Sequence, residues 1–494
     1  MFKDLTLTEV YNRESPFESL LPGTGIVLIG RADIGPAMTP VKAVDTEQVI
    51  MTFGVDSELA NAYIEAKMSG ATDVYLIKAN GKHAETNVQN VIKLISLESV
   101  ESANMLQYEI LTSDQDRYLT LFNPMTGYNS SYYIANKTIS QVVSEINVDA
   151  ITLQSPVYAV MLQDGSTDIL VDEYFSEAQT DGADPEYDSD NLMDNIVEIL
   201  EYLDAYPIAQ VGILCQSFKT VKNGEYLYAK LEDFVRRKMQ ACTPCIVTIG
   251  VDDLMVDSGA AYNISKMFCD TIRLECPVSE FINVVLARPV FTGLHPNYVS
   301  NGVAAYCGLI NSIGYAESTT NKVINGAVGD TLTLTDGTDD GTPESIANIT
   351  NQLKPELANL GYVVFKESAL GKQKEVRVSK GANLTRSFNK VIDLDDTSQF
   401  IRYIPAPMSN IANVKLIQHI VYRLNEVLDL EELSKISTLK LRIKEVLESE
   451  IEYIKDYSVN ITENYEGYAK TYVVGIDITP VGELGSINLS MQTR

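Results

Sequence analysis

Apolar and polar residues alternate along the last part of the chain. Two runs show this pattern, and their apolar members are Tyr457, Val459 and Ile461 in the first and Tyr472, Val474, Ile476 and Ile478 in the second. A period of two is typical of strands that bury one face. Residues 463–470 lie between the runs and contain Asn464 and Gly467, which favour a turn. The pattern therefore predicts a β-hairpin.

A third alternating run follows, after Pro480, Gly482 and Gly485 have interrupted the pattern. Its apolar members are Ile487, Leu489 and Met491. A two-stranded hairpin is barely stable alone in water, so a further strand is expected on its edge. A strand on such a tether can close on its own hairpin, or it can pair with the sheet edge of a neighbouring molecule. The second arrangement would make the protein a polymer subunit.

The N-terminus has the same organisation. Leu5 and Leu7 alternate with threonines, which predicts a short strand, and a polar stretch with Pro16 and Pro22 follows it. The first 24 residues are therefore predicted to form a second strand-bearing arm. Pairing of this strand within its own subunit and pairing with a neighbour are equally open alternatives.

Helix and strand patterns alternate through the middle of the chain. Residues 25–80 have the order strand, helix, strand, and residues 191–315 continue the alternation, which favours a parallel sheet. Residues 85–165 instead contain short strands and one short helix separated by Asn, Gly and Ser. The predicted fold class is mixed, α+β and α/β, with several domains.

These domains are an αβ core, an inserted mostly-β module, and a C-terminal domain of helices and a small sheet whose terminal arms exchange strands. The predicted boundaries are 1–24 for the N-terminal arm, 25–84 and 166–345 for the αβ middle domain, 85–165 for the inserted domain, 346–485 for the C-terminal domain and 486–494 for the C-terminal arm strand.

Two amphipathic helices are predicted before the terminal sheet. Apolar residues recur at three- and four-residue spacing at Val414, Ile417, Val421, Leu424 and Leu428, and again at Leu439, Ile443 and Val446 with a continuation to Glu450 and Ile451. The repeats are too few for a coiled coil, so these helices are expected to pack on the terminal sheet. The second helix region also carries a basic cluster, formed by Lys435, Lys440, Arg442 and Lys444. A solvated helix face is the simpler explanation of that cluster.

The formal net charge of the 494 residues is -29 at pH 7. Nucleic-acid binding through a basic surface is therefore not expected, because phosphate contact needs clustered Lys and Arg. Self-association between such acidic copies should depend on salt. The sequence shows neither a signal peptide nor an apolar run of membrane-spanning length, so synthesis and folding in a cytoplasm are expected.

No set of residues in the sequence indicates catalysis. The three histidines, His83, His295 and His419, are far apart and stand near no nucleophile motif. The loop after the first strand lacks the phosphate-binding glycine patterns. Cys242 and Cys245 have the order helix, C-x-x-C, strand, the reverse of a thioredoxin-type site, so free thiols are expected. The acidic residues of 166–195 lack calcium-loop spacing and are expected to be solvated. We therefore expect no enzyme, no cofactor and no metal.

Two segments resemble the contractile tail sheath proteins of phages and related injection particles. The first covers GIVLIGRADIGPAMTPVKAVDTEQVIMTFG (25–54) and ELANAYIEAKMSGATDVYLIKA (58–79), and the second covers GYAKTYVVGIDITPVGELGSINLSMQTR (467–494), with a weaker match at 353–383. The residues that carry the pattern in the first segment are Gly30, Gly35, Pro36, Phe53, Gly54 and Gly70. The chain has no Trp, although sheath proteins often have one near residues 371–378.

The resemblance implies a structural protein that polymerises around a tail tube and contracts to drive the tube through a target cell envelope. Its expected partners are further copies in hexameric rings stacked helically, the tail tube protein, and the baseplate and tail terminator proteins, without nucleic acid or membrane insertion. Each subunit would lend its terminal arms to neighbours, and the basic cluster would face the tube. The protein would be made in the bacterial host cytoplasm and assembled in a virion tail or injection particle. The alternatives are a non-contractile virion or surface structural protein and a doubly wound αβ enzyme.

Overall fold

A computed structural model gives the fold. It describes residues 25–32, 35–79, 84–96, 105–113, 116–124, 127–151, 155–174, 189–217, 221–250, 279–335, 342–370, 373–392, 399–405, 407–429, 436–466, 469–481 and 487–492. The chain divides into two compact units: unit 1 contains Met1–Ser19, Ile29–Asn61 and Tyr75–Tyr202, and unit 2 contains Leu20–Leu28, Ala62–Val74 and Leu203–Arg494. The predicted arm strand at Leu5 and Leu7 and the lysine Lys435 lie outside the described residues.

Helices and strands are mixed along the whole chain. In chain order they are β1 (Ile26–Gly30), β2 (Val41–Ala43), α1 (Thr46–Phe53), α2 (Glu58–Met68), β3 (Val74–Lys78), β4 (Glu85–Val88), β5 (Ile92–Ser96), β6 (Gln107–Ser113), β7 (Asp116–Asn123), β8 (Tyr128–Tyr133), α3 (Ile139–Ile151), β9 (Val157–Met161), α4 (Ser189–Leu203), β10 (Gln210–Ser217), β11 (Val221–Lys222), β12 (Glu225–Tyr226), α5 (Leu227–Gln240), β13 (Ile246–Gly250), β14 (Ile282–Leu286), β15 (Pro289–Phe291), α6 (Val303–Ser312), β16 (Ala327–Asp330), α7 (Pro343–Leu360), β17 (Val363–Leu370), β18 (Gln373–Val378), β19 (Arg386–Ile392), β20 (Gln399–Pro405), α8 (Ile411–Asp429), α9 (Ile436–Ser449), β21 (Ile454–Glu466), β22 (Ala469–Pro480) and β23 (Ile487–Gln492).

The largest sheet has eight strands in the order β18-β17-β14-β13-β10-β1-β3-β2. Its pairs β10/β13, β13/β14 and β14/β17 are parallel, and β17/β18 is antiparallel. Strands β1, β13 and β14 are buried along their whole length, as expected for apolar runs in a parallel sheet that is covered on both faces. The mixed α/β class with several sheets agrees with the sequence prediction, whereas the domain boundaries stay predictions.

In unit 1, the loop after β1 needs a glycine at position 35. Gly35 has φ +94°, and a Cβ there would lie 2.5 Å from the carbonyl oxygen of Thr52 and 2.9 Å from the ring of Phe53. Phe53 is itself completely buried at the end of α1. The Gly-Pro loop and the Phe-Gly turn of the sheath-like pattern are therefore one packed unit, because only glycine allows so close an approach.

Unit 1 also contains the region predicted as a mostly-β module. Two three-stranded sheets, β4-β5-β9 and β6-β7-β8, accompany α3 there. Their inward residues form a shared hydrophobic core, with Ile110, Leu121, Ile134 and Ile146 each fully buried. In the described part of the acidic segment, Asp168 and Asp172 are exposed, whereas Glu173 is half-buried and accepts a hydrogen bond of 2.8 Å from the hydroxyl of Tyr108. Residues 175–188 lie outside the described part of the chain.

In unit 2, α2 and α6 approach each other closely at two small residues. A Cβ on Gly308 would lie 2.4 Å from the carbonyl oxygen of Ala66 and 2.9 Å from Cβ of Ser69. Gly70 lies two residues after the end of α2 with φ +110°, and a Cβ there would lie 2.6 Å from Cβ of Ser312. Small residues thus let the helix backbones touch, and they give Gly70 of the sheath-like pattern a packing role.

Replacement of Gly308 by alanine is expected to lower the free energy of unfolding by about 1 to 3 kcal/mol, since the added methyl group meets backbone atoms that cannot rotate away. Urea denaturation measures this loss. Gly314→Ala is the matched control, because its nearest neighbouring atom, Cγ of Glu317, lies 3.5 Å from the added carbon. Equal stability of the two variants would show that the helices do not cross in this way.

Helix α6 has a buried carboxylate at its N-terminus. Glu65, on α2, accepts three hydrogen bonds of 2.7 to 3.1 Å, from the hydroxyls of Ser300 and Tyr298 and the N–H of Ala305. Complete burial raises the pKa of Glu65 from 4.5 to about 7, although the three hydrogen bonds favour the carboxylate. An anion at this position also complements the positive end of the helix dipole.

The C-terminus of α6 has a buried amine. The ammonium group of Lys415, on α8, donates hydrogen bonds of 2.7 and 2.8 Å to the carbonyl oxygens of Ile310 and Ile313. Burial lowers the pKa of Lys415 to about 7, and the charge of Glu317 opposes this shift. Backbone groups at both ends of α6 are therefore hydrogen-bonded to side chains of other helices. An acidic side chain from α2 accepts at the N-terminus, and a basic side chain from α8 donates at the C-terminus.

The ends of three helices are well defined in the structure. Helix α6 begins at Val303, because Gly302 adopts φ +76° and interrupts the helical backbone before it. Helix α9 ends at Ser449, so the predicted continuation of its apolar stripe to Ile451 is wrong, and Ile451 is 55% exposed. Helix α7 has Thr342 as its N-cap and Gly361 after its end.

Candidate strand-exchange interface

The C-terminal end forms a three-stranded antiparallel sheet in the order β21-β22-β23. The hairpin of β21 and β22 is longer than the predicted one, since pairing continues to Glu466 and Ala469. Residues 463–466 and 469–471 thus belong to the ladder rather than to a loop. Backbone pairing tolerates polar side chains, so the ladder extends beyond the apolar alternation.

The predicted interface residues fall into three cross-strand rows. The register places them opposite one another as Tyr457, Ile478 and Ile487, as Val459, Ile476 and Leu489, and as Ile461, Val474 and Met491. Residues opposite each other in a ladder share a face of the sheet. On that face Val474, Ile476 and Ile478 are fully buried. Tyr472 lies opposite Glu463, one step beyond the rows.

Strand β23 lies on the edge of its own hairpin within this single chain. Six residue pairs join it to β22, from Val473 with Gln492 to Ile478 with Ile487. Residues 481–486 connect the two strands. Pairing of the same strand with a neighbouring copy stays a prediction. The outer edge of β21 has no partner strand in the sheet formed by the described residues.

The basic cluster lies on the exposed surface of α9, where it is mixed with acidic residues. Arg442 contacts Glu445 at 3.0 Å, and Lys444 contacts Glu448 at 3.4 Å. Lys440 is exposed, and the apolar Leu441 beside it is 56% exposed. The surface is therefore less positive than the count of Lys and Arg indicates, and a tube-facing role for it stays a prediction.

A cluster that the sequence analysis missed joins the terminal sheet to neighbouring segments. Glu450, between α9 and β21, is 3% exposed. Its carboxylate accepts hydrogen bonds from Arg423 at 2.6 Å, from the Tyr315 hydroxyl at 2.8 Å and from Nε2 of His419 at 3.2 Å. The sequence signal for this cluster was that Glu450 occupies a position in the apolar repeat that begins at Leu439.

Aromatic rings complete this cluster. The ring of His419 stacks on that of Tyr315, with centroids 3.8 Å apart and planes 12° apart. The ring of Tyr453 meets Tyr315 edge-on at 5.5 Å. We call Glu450, Tyr315, His419, Arg423 and Tyr453 the junction cluster. Burial by itself raises the pKa of Glu450, but the hydrogen bonds from Tyr315, Arg423 and His419 outweigh it and hold the pKa below its ordinary value.

The described residues give no sign of a metal centre or a membrane segment. None of their His, Cys, Asp and Glu side chains form a group of three or more suited to a metal ion. None of the helices in the described ranges combines the length and the apolar character that a bilayer span demands. Cys245 is a buried free thiol whose pKa is raised to about 12 by burial, and Cys242 is also free of disulfide bonds.

Comparison with known proteins gives matches to solved structures. No protein-family model matches the sequence, and no curated protein sequence matches it. The sheath tail protein of Desulfitobacterium hafniense aligns with 96% of this chain and 97% of its own, at a TM-score of 0.50 and 12% identity.

A second sheath tail protein, from Listeria innocua, aligns with 98% of this chain and 97% of its own, at a TM-score of 0.53 and 13% identity. A chain in the anti-feeding prophage baseplate structure aligns at a TM-score of 0.44 and 9% identity, over 94% of this chain and 91% of its own. The chain has the fold of the sheath tail proteins, as the resemblance in its sequence implied.

Proposed function

We propose that the chain is the structural subunit of a contractile tail sheath, and that it polymerises around a tail tube through exchanged terminal strands. Likeness of fold to two sheath tail proteins over nearly the whole chain supports this proposal. The observation that carries it is the C-terminal sheet, in which a strand on a short tether forms one edge of a hairpin.

The geometry of that sheet suits exchange. The ladder between β22 and β23 is made of backbone hydrogen bonds, and a strand from another copy can form the same ladder in the same register. The six residues between β22 and β23 can span about 20 Å when extended. The apolar rows specify the register, because a slip by one residue would turn the apolar side chains to the opposite face.

The edge of β21 offers a second place for a strand. In this proposal the N-terminal strand of a further copy, at Leu5 and Leu7, pairs there, so that each hairpin receives two arms. Copies arranged in hexameric rings that stack helically would then form a connected mesh. Such a mesh can stay linked while the subunit bodies rotate and slide during contraction. In this proposal, contraction is a collective shift of the subunits from one arrangement to another.

The other partners follow from the same proposal. The inner surface of the sheath would contact the tail tube protein, with Lys440, Arg442 and Lys444 of α9 as the proposed contact. Baseplate and tail terminator proteins would contact the two ends. The protein would act without catalysis, cofactor, nucleic acid or membrane insertion. It would be made in the bacterial host cytoplasm and assembled in a virion tail or injection particle, where contraction drives the tube through a cell envelope.

Disulfide trapping in the assembled protein tests strand exchange directly. Asp477 and Asn488 are opposite each other in the β22–β23 ladder, so cysteines at both positions can be oxidised to a disulfide. Electron microscopy of purified D477C/N488C should show tubes or ring stacks. Oxidation of these assemblies should give a ladder of covalent multimers on a non-reducing gel, because each bond would link two copies.

The single variants D477C and N488C are the controls, since neither offers a cross-strand pair and both retain the native cysteines. A disulfide confined to monomers in the assembled protein would contradict exchange of the C-terminal strand. Closed oligomers without tubes would favour the non-contractile alternative. A shift in melting temperature on addition of small-molecule ligands would favour the enzyme alternative.

A further inference from the structure

The junction cluster lies where the terminal sheet meets the helices before it. Glu450 follows the last residue of α9, and β21 begins four residues later at Ile454. The backbone carbonyl of Glu450 accepts hydrogen bonds from the N–H groups of Tyr453, at 2.9 Å, and Ile454, at 3.2 Å. The N–H of Val481, just after β22, donates to the carbonyl of Tyr453 at 2.9 Å. The base of the hairpin is therefore built around Glu450.

The side chain of Glu450 connects this base to two other segments. Its donors Arg423 and His419 lie on α8, and its donor Tyr315 lies in the segment after α6. Arg423 also donates a hydrogen bond of 2.9 Å to the hydroxyl of Ser449, the last residue of α9. Because the carboxylate is nearly completely buried, each donor has a fixed position relative to it and loses a charge-assisted bond if the base turns.

A fixed base matters for strand exchange because the receiving edge is distant from it. A strand rises about 3.3 Å per residue, so Val473 lies about 23 Å along β22 from Pro480, and a turn of about 10° at the base moves it about 4 Å. Hydrogen-bond lengths vary by only about 0.5 Å. A neighbour's strand therefore meets this edge in register only if the base is held.

We propose that Glu450 is the positioning residue for strand exchange: through Arg423, His419 and Tyr315 it fixes the orientation of the receiving hairpin relative to α8. This inference rests on the proposed sheath function. It assigns to a residue outside the sheet control over how the sheet is presented to a neighbouring copy.

The test compares Glu450→Gln with Glu445→Gln in the full-length protein. Both changes remove one carboxylate charge near the end of α9, but Glu445 is exposed and pairs only locally with Arg442. Hydrogen exchange measured by mass spectrometry should be at least tenfold faster in residues 450–466 of the Glu450→Gln protein. Electron microscopy should show tubes whose rotation per ring is widely spread, or no tubes, for this variant alone.

A second variant separates loss of position from loss of folding. Tyr315→Phe removes the hydroxyl that donates to Glu450 and keeps the ring that stacks on His419. Its hydrogen exchange in residues 450–466 should be faster than in the wild type, and its rotation per ring more widely spread, but both effects should be smaller than in Glu450→Gln. Its circular dichroism spectrum should be unaltered. If Glu450→Gln does not fold, this variant decides the result.

The outcomes distinguish this inference from the proposed function. If the wild-type protein forms tubes, two results would overturn the positioning role and leave the sheath proposal intact. One is hydrogen exchange that is unchanged in the variants. The other is faster exchange in variants whose tubes are unchanged. Absence of tubes in the wild-type protein would overturn the sheath proposal, and the positioning role with it, whatever the exchange rates are. Faster exchange with disordered or absent tubes in Glu450→Gln, and normal tubes in Glu445→Gln, is the expected result.

Discussion

Removal of residues 486–494 is expected to abolish polymerisation and leave soluble single subunits. These residues include the whole of β23, and six residue pairs of the ladder are lost with them. A backbone hydrogen bond contributes about 0.5 to 1.5 kcal/mol net, so each lost strand weakens a link between copies by several such bonds. Light scattering and negative-stain electron microscopy measure the loss, and the expected effect is complete absence of tubes.

The matched control keeps the strand and changes its tether. Replacing residues 482–486 by a Gly-Ser segment of equal length should leave polymerisation intact, because in this proposal the tether only connects two strands. Tubes formed by the truncated protein would refute the assignment of the C-terminal arm. The truncated protein exposes the edge of β22, so the measurement belongs at low protein concentration, where edge-to-edge aggregation is weak.

Replacement of Glu65 by glutamine is expected to change how stability depends on pH. The pKa of Glu65 is raised from 4.5 to about 7 in the folded protein, so the folded state binds this proton more tightly than the unfolded state. The stability that protonation gives is fully present below pH 4.5 and is lost as the pH rises through 7. The loss is about 3 kcal/mol, and the glutamine variant does not undergo it.

Urea denaturation at a series of pH values between 4.5 and 8 checks this expectation. The free energy of unfolding of the wild-type protein, minus that of Glu65→Gln, should fall by about 3 kcal/mol across the series. All other titrating groups, including Lys415, are common to both proteins and cancel in the difference. Parallel curves for wild type and Glu65→Gln would contradict the buried, hydrogen-bonded carboxylate.

These two predictions address different parts of the same molecule. The first concerns the link between copies, which we propose to depend on backbone pairing at an edge. The second concerns the packing of unit 2 around α6, whose ends are satisfied by Glu65 and Lys415. A sheath subunit that rotates during contraction would need a body of this kind, one that stays rigid while its terminal strands remain attached to neighbours.

The sequence by itself determined the features that have a regular period. The alternation in the last residues predicted which side chains share a face, and the register of β21, β22 and β23 aligns those residues in three rows. The ends of α7 also carry local signals, because Thr342 caps its N-terminus and Gly361 follows its last residue. These signals are local, because helix and strand repeats and caps depend on residues only a few positions apart.

The tertiary structure alone decided the contacts between distant polar residues. Glu450 with Tyr315, and Glu65 with Ser300, are separated by more than a hundred residues, and no local pattern links them. A buried carboxylate looks like any surface carboxylate in sequence, since its donors come from other segments. The sequence also left open the partner of β23, because its backbone bonds can be formed with either its own hairpin or an identical one.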